Sequence, residues 1–322
     1  MNPTYLRIIF VFTDIILPLV TGYYLKRKNL MSGDMCNLLI RINIVVFCTI
    51  LTLLSFWVLP LSPQLLWLPL LGILFTIVPG FIGWAFFARR FKDYLQRGAY
   101  VVSALLSNIG AVAGLCSFIV YGEIGYAYVQ LVATFQNMLL VILCFPLAQY
   151  YFAKETATLR QTKLKLSFRE MFLTINQVPV LGMAAGILLQ LSGVDRPLFL
   201  GTVSQSLVHL VAWISMVPVG YLIDFGQARS YYGRVLDMIP LRFVIVPGLF
   251  YLCMKNVFTD QVLLGTLIIT AAAPGAVNSV VTARLYKLDV DLTIACFLLT
   301  MVVFVLVVFP VFFFYVAGGG KF

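Results

Sequence analysis

The chain has 322 residues, of which 62% are hydrophobic and 11% charged, with a mean hydropathy of +1.01. A soluble domain carries about a quarter charged residues, so the composition excludes an ordinary soluble globule and describes a polytopic membrane protein. The formal net charge of +10 would suit a nucleic-acid partner, but the placement of the basic residues points instead to the lipid bilayer.

Apolar segments of membrane length fall at about 5–25, 38–59, 65–87, 99–121, 124–150, 172–191, 198–223, 239–256, 261–284 and 290–316. About ten spans with short links are therefore expected. The first run follows Arg7 and has no small-residue cleavage site, so it is expected to be a span and not a signal peptide. Asp14 lies midway along it, and an acid at that depth is a functional candidate by default. Desolvation favours its protonated form, which could carry a proton, bond a ligand or bond a neighbouring helix. His209 sits at similar depth in the seventh segment, where packing is the plainer reading. Both are candidates for proton or ion coupling, and a contact between them can be tested by their separation. Gln130, Gln136 and Asn137 lie in the fifth segment. Gln130 and Asn137 are seven apart and so share a helical face, lining a cavity or bonding between helices. Six scattered cysteines, with no C-x-x-C, read as small buried hydrophobes.

With the first segment starting outside, the inward links hold Lys26, Arg27, Lys28 and Arg41; Arg89, Arg90, Lys92 and Arg97; Lys154, Arg160, Lys163, Lys165 and Arg169; Arg229, Arg234 and Arg242; and Arg284 and Lys287. These are eighteen of the 22 basic residues. Such asymmetry orients a membrane protein with its basic links in the cytoplasm, which places both termini outside and leaves no call for nucleic acid. The longest polar link, 156–170, separates a first group of five spans (1–155) from a second (171–322). Five is odd, so the second group enters from the opposite side, as in inverted-repeat transporters. The fourth segment contains Ser107-Asn-Ile-Gly-Ala-Val-Ala-Gly114 and the ninth Ala273-Pro-Gly-Ala-Val-Asn278. Both have Gly-Ala-Val at mid-span beside an asparagine.

Helix should not run smoothly through Ala271–Tyr286. Pro274 has no N–H and its ring strikes the preceding turn, and Gly275 loosens the backbone beside it. A broken helix within a bilayer persists only when buried in protein or lining a watery cavity. Asn278 and Ser279 supply polar groups there, as Asn108 and Gly110 do in the fourth segment. If both segments unwind and cross, each presents a helix N-terminus carrying about half a positive charge. Two such ends make a seat for a carboxylate, and neither break contains Asp or Glu. The ordinary reading, small residues packing helices together, competes at both places. The candidate substrate site is Asn108, Gly110, Gln130, Asn137, Pro274, Gly275, Asn278 and Ser279. No phosphate-binding loop, His-rich metal site or catalytic carboxylate pair is present; no enzyme activity, metal or cofactor is expected.

The order and spacing of several stretches resemble the auxin efflux carrier family of plants and bacteria over nearly the whole chain. They are Leu17-Pro-Leu-Val-Thr-Gly-Tyr-Tyr-Leu-Lys-Arg-Lys28, Ser107-Asn-Ile-Gly110, Tyr121-Gly-Glu-Ile-Gly125, Val129-Gln130, Val178-Pro-Val-Leu-Gly-Met-Ala-Ala-Gly186, Leu241-Arg-Phe-Val-Ile-Val-Pro247, and Ala273–Ser279 with Tyr286. The resemblance implies ten spans as two inverted five-helix repeats, with spans 4 and 9 broken and crossing. It implies a scaffold of spans 1, 2, 6 and 7 that dimerises, and a mobile domain moving elevator-fashion. The substrate would be a small organic anion, auxin-like or a dicarboxylate, in the plasma membrane or the inner membrane of a bacterium. Asn108, Pro274 and Asn278 match the family's crossover residues and Gln130 a residue beside them. Where the family usually has proline in the first crossover, this chain has Ala113-Gly-Leu-Cys116, and its central link is short. Rival readings are a Na⁺- or H⁺-coupled antiporter of the same architecture and a membrane protein that senses an anion without moving it.

Overall fold

The structure is a computed structural model describing residues 12–58, 67–160, 178–222, 230–317 and 319–320, and every regular element among them is helical. Four helices are long and apolar enough to cross a membrane: Gly33–Leu51, Trp67–Arg90, Leu198–Leu222 and Val290–Val316. Ile109–Tyr121, Met238–Met254 and Gln261–Ala271 are shorter apolar helices. The described residues are thus almost entirely helical, with the character of an all-α membrane protein. Residues 5–11 of the first apolar segment, 161–170 of the central link and 172–177 of the sixth segment lie outside the described residues. The described helical stretches contain seven π turns, at Phe12–Ile16, Asn43–Cys48, Gly83–Phe87, Ile109–Ala113, Leu140–Cys144, Leu241–Ile245 and Phe304–Val308.

The chain divides into two compact units that cut across the two sequence halves: Met1–Trp67 with Ser167–Ile223, and Leu68–Leu166 with Asp224–Phe322. In the first unit, Leu17–Arg27 packs on Leu198–Leu222, and Thr49–Trp57 on Val178–Leu191. Gly22 faces the backbone of Val217 and Tyr221, while Gly220 faces the backbone of Leu19. A Cβ at either place would overlap main-chain atoms, so glycine is what allows these helices to touch backbone to backbone. The Leu17–Arg27 helix ends in a Schellman motif. Asn29 takes the left-handed conformation (φ 54°), Leu30 N–H donates to Leu25 O at 2.9 Å, and Asn29 N–H donates to Lys26 O at 3.1 Å. Two polar side chains of this unit bond beyond their own helix: Asn43 Nδ2 donates to Ser215 Oγ at 2.9 Å, and Trp57 Nε1 to Val194 O, on the link before Leu198, at 2.7 Å.

In the second unit, three helices start on an aspartate whose carboxylate accepts a backbone N–H of the first turn. Asp93 takes that of Leu95 (2.7 Å), Asp260 that of Val262 (2.9 Å), and Asp289 that of Leu292 (3.0 Å). The Tyr94–Leu105 helix is buried from Gly98 onward and forms the core of the unit. Around it lie Phe145–Arg160, Val290–Val303 and Val277–Leu285. Helical backbone runs without a gap from Gly114 to Leu139, yet the chain turns back within it. A Cβ on Gly125 would stand 2.9 Å from the Ser117 carbonyl oxygen, whereas eight residues of straight helix advance about 12 Å. The reversal therefore lies between Ser117 and Gly125. Among the described cysteines, Cys36, Cys116, Cys144 and Cys296 are buried and Cys253 is exposed.

Candidate functional site

The site is built inside the second unit from two interrupted helices. Tyr94–Leu105 stops at Leu106, which is extended (φ −95°, ψ 123°), and helix resumes at Ile109. Between them Asn108 (φ −81°, ψ 61°) is the centre of an inverse γ-turn, with Ile109 N–H donating to Ser107 O at 2.9 Å. Gln261–Ala271 likewise stops short of Pro274, and helix resumes at Val277 after an extended Ala276 (φ −80°, ψ 146°).

The backbone left over at each interruption is satisfied by the other. Ser107 and Gly275 form an isolated antiparallel bridge. Asn108 N–H donates to Pro274 O at 2.8 Å, and Ala276 N–H to Leu106 O at 3.1 Å. Proline can accept here though it cannot donate, which suits it to this side of the pairing. Gly275 N–H donates instead to Thr300 Oγ1 at 3.0 Å, and that hydroxyl in turn donates to Cys296 O at 2.7 Å. Ser107 Oγ accepts from Gln136 Nε2 at 3.3 Å. Two short extended strands thus replace helical hydrogen bonds in the middle of an apolar bundle, the arrangement that unwound backbone needs to persist there.

Asn108, Pro274, Gly275 and Ser279 are buried, while Gly110 and Asn278 are part-exposed. Ser279 Oγ turns back to Ala276 O at 2.7 Å and Thr282 Oγ1 to Asn278 O at 2.6 Å, so both hydroxyls serve the restarted helix. Asn108 differs: among the described residues its Nδ2 has no hydrogen-bond partner, though it is buried in a residue only 8% exposed. An amide donor left this way costs about 1–3 kcal/mol, and an acceptor from outside the protein would relieve it. The side chains of Gln130 and Asn137 lie outside the described ones, although both residues belong to the Gly114–Leu139 helix. The unit's acids with described partners include Asp93, Asp260 and Asp289 as caps, Asp237 on Arg90 (2.6 Å) and Tyr100 (2.5 Å), and Glu155, which accepts the Tyr94 N–H at 3.0 Å. Neither interruption contains an acid.

The structure brings the other two candidates together in the first unit. His209 Nδ1 lies 2.6 Å from Asp14 Oδ2, and Trp213 Nε1 donates to Asp14 Oδ1 at 3.2 Å. Asp14 is buried and His209 half-exposed, so the acid is joined to an imidazole that reaches outward.

Three contributors escaped the reading of the sequence. Ser107 and Thr300 carry no signal there, since hydroxyls in apolar helices commonly bond their own carbonyls. Arg242 did carry one. It was tallied with the inward links, yet it is 1% exposed, on the Leu241–Ile245 turn, with Nη2 donating to the carbonyls of Ser103, Ala104 and Leu106 at 2.6, 2.8 and 2.7 Å. A cation inside an apolar run is a reason to suspect function, and here proximity to the start of a span masked it. Among the described residues no cluster of three or more His, Cys, Asp or Glu could hold a metal ion. In comparisons with known proteins, the chain matches no family model and no curated sequence.

Proposed function

We propose that the chain is a secondary carrier of small organic anions, with a carboxylate held where the two interrupted helices meet. The observation that carries this reading is the pairing of Leu106–Asn108 with Pro274–Ala276, beside which the Asn108 side-chain Nδ2 is buried without a partner among the described residues. Half-helices that start at such a place direct their first N–H groups toward it, and no acid stands in either interruption to take them up. On this reading the chain has ten spans in two inverted repeats, as in the auxin efflux carriers that its sequence resembles, with both termini outside. The division into two compact units supports an elevator-type cycle. The unit containing the crossing would move against the unit built from the first, second, sixth and seventh segments, through which two copies would associate.

Purified protein in liposomes, offered radiolabelled mono- and dicarboxylates, tests the proposal. Uptake of at least one acid that saturates with concentration is expected, and Asn108→Ala and Asn278→Ala should each weaken it. Binding without uptake would mark an anion sensor instead. Unchanged binding and uptake in both variants would remove the site from the crossing.

A second reading is favoured by the Asp14–His209 contact, a buried acid joined to a half-exposed imidazole. It makes the cycle proton-coupled, or makes the chain an ion-coupled antiporter of this architecture. Anion uptake driven by an imposed pH gradient, and lost in Asp14→Asn, would separate it from uncoupled transport.

A further inference from the structure

We propose that Arg242 is what makes the crossing prefer an anion; this rests on the carrier reading and concerns how that same site selects its ligand. The two interruptions present four helix ends to one another. Two are beginnings, each worth about half a positive charge, and two are terminations, each worth about half a negative charge. Four such ends nearly cancel, so a crossing made of backbone alone has little preference for charge.

Arg242 breaks that balance. It stands on the termination of the Tyr94–Leu105 helix, where one nitrogen serves three of the last carbonyls. One of these, Leu106 O, also accepts the Ala276 N–H from the other interruption. The guanidinium is therefore a single shared oxygen away from the paired strands. Among the described residues Arg242 makes no ion pair, and Asp237, the acid nearest to it in sequence, is taken by Arg90 and Tyr100. Its Nε is buried without a partner. A guanidinium is charged at neutral pH, so about one whole positive charge is left over beside the crossing. An anionic ligand completes the balance and a neutral one of the same shape does not. Arg242 is a positioning and selecting residue that acts through the helix end and through its field; no contact with the ligand is required.

The test compares acids with their amides, malonate with malonamide and indole-3-acetate with indole-3-acetamide, on purified full-length protein by thermal shift and by competition for uptake. A unit charge several ångströms away, at an effective interior dielectric of about 20, predicts that the wild-type protein favours an acid over its amide by at least about tenfold. In Arg242→Gln the ratio should fall toward one with affinity for the amide retained. Arg242→Lys should keep the ratio at pH 7 and lose it at more alkaline pH, because a buried ammonium sheds its proton more readily than a guanidinium. The wild-type ratio should stay flat over that range. If Arg242→Gln does not fold, the pH profile of Arg242→Lys decides alone, and a profile as flat as the wild type's overturns the proposal. Equal discrimination by Arg242→Gln and wild type also overturns it while leaving the carrier reading intact. Failure of the wild-type protein to bind any of the four compounds or other carboxylates would overturn both.

Discussion

Replacing Thr300 by valine isolates a side chain that holds the second interruption from outside it. Valine has the shape of threonine, so no cavity opens; what is lost is the acceptor for the Gly275 N–H, 3.0 Å away, in a residue 1% exposed. An N–H deprived of its partner in the interior costs about 1–3 kcal/mol. Local opening at Gly275 should become easier by that amount, and its amide should exchange hydrogen about 5- to 150-fold faster. Thr266→Val supplies the contrast. That hydroxyl is also buried but has no partner among the described residues, so its removal should leave exchange at Gly275 unchanged and stability equal or slightly higher. Hydrogen exchange read by mass spectrometry on peptides covering 270–280, in detergent or nanodiscs, gives the comparison. Equal protection in Thr300→Val and wild type, or a larger loss in Thr266→Val, would refute the idea that Thr300 secures the interruption.

Three further outcomes are expected. Gly22→Val forces a side chain into the backbone of Val217 and Tyr221 and should lower the yield of monodisperse protein, while Gly248→Val, where a Cβ meets nothing within 4 Å, should not. Trp213→Phe removes one of the two described bonds to Asp14; on the proton-coupled reading, uptake driven by a pH gradient should fall while affinity for the anion holds. Tyr231 lies on a link, and burial, followed by its hydrogen bond to Asp289 at 2.7 Å, pushes its phenol up to about 12. The neutral form is the one the fold favours, so this contribution is whole below pH 10 and fades as pH rises toward 12. Tyr231→Phe should flatten the fall in thermal stability across that window.

What could be read in advance followed from how local the physics was. Pro274 and Gly275 announce an interruption on their own, because a missing N–H and a missing Cβ act at the position where they stand. Asn108 has no such property; it drew notice through its neighbours Ile109-Gly-Ala-Val and a family resemblance. The γ-turn at Asn108 has no proline to enforce it and depends on the strand it pairs with, more than 160 residues away in the chain. Arg242 was misplaced because a tally of charges on links assumes that a cation near the end of an apolar run reaches water. Its three carbonyl partners belong to another helix, and no window of sequence contains both. The approach of His209 to Asp14 is of the same kind: depth in each segment could be estimated, whereas the face each presents required the fold. Gly22 and Gly220 were visible as small residues, but their reciprocal contact was not.

The π turns carry a consequence for how this chain tolerates change. Each closes its ring over one residue more than an α turn does, so the helix beyond it is rotated by about 100° from where an uninterrupted α-helix would have put it. Deleting a single residue from Leu140–Cys144 or Phe304–Val308 should restore plain α-helix locally and leave the faces on either side in register with their neighbours. The same deletion a few turns away would swing every later side chain off its partner. Seven such places spread along the described helices give the protein internal slack, where its length can drift by one residue without disturbing what packs above and below.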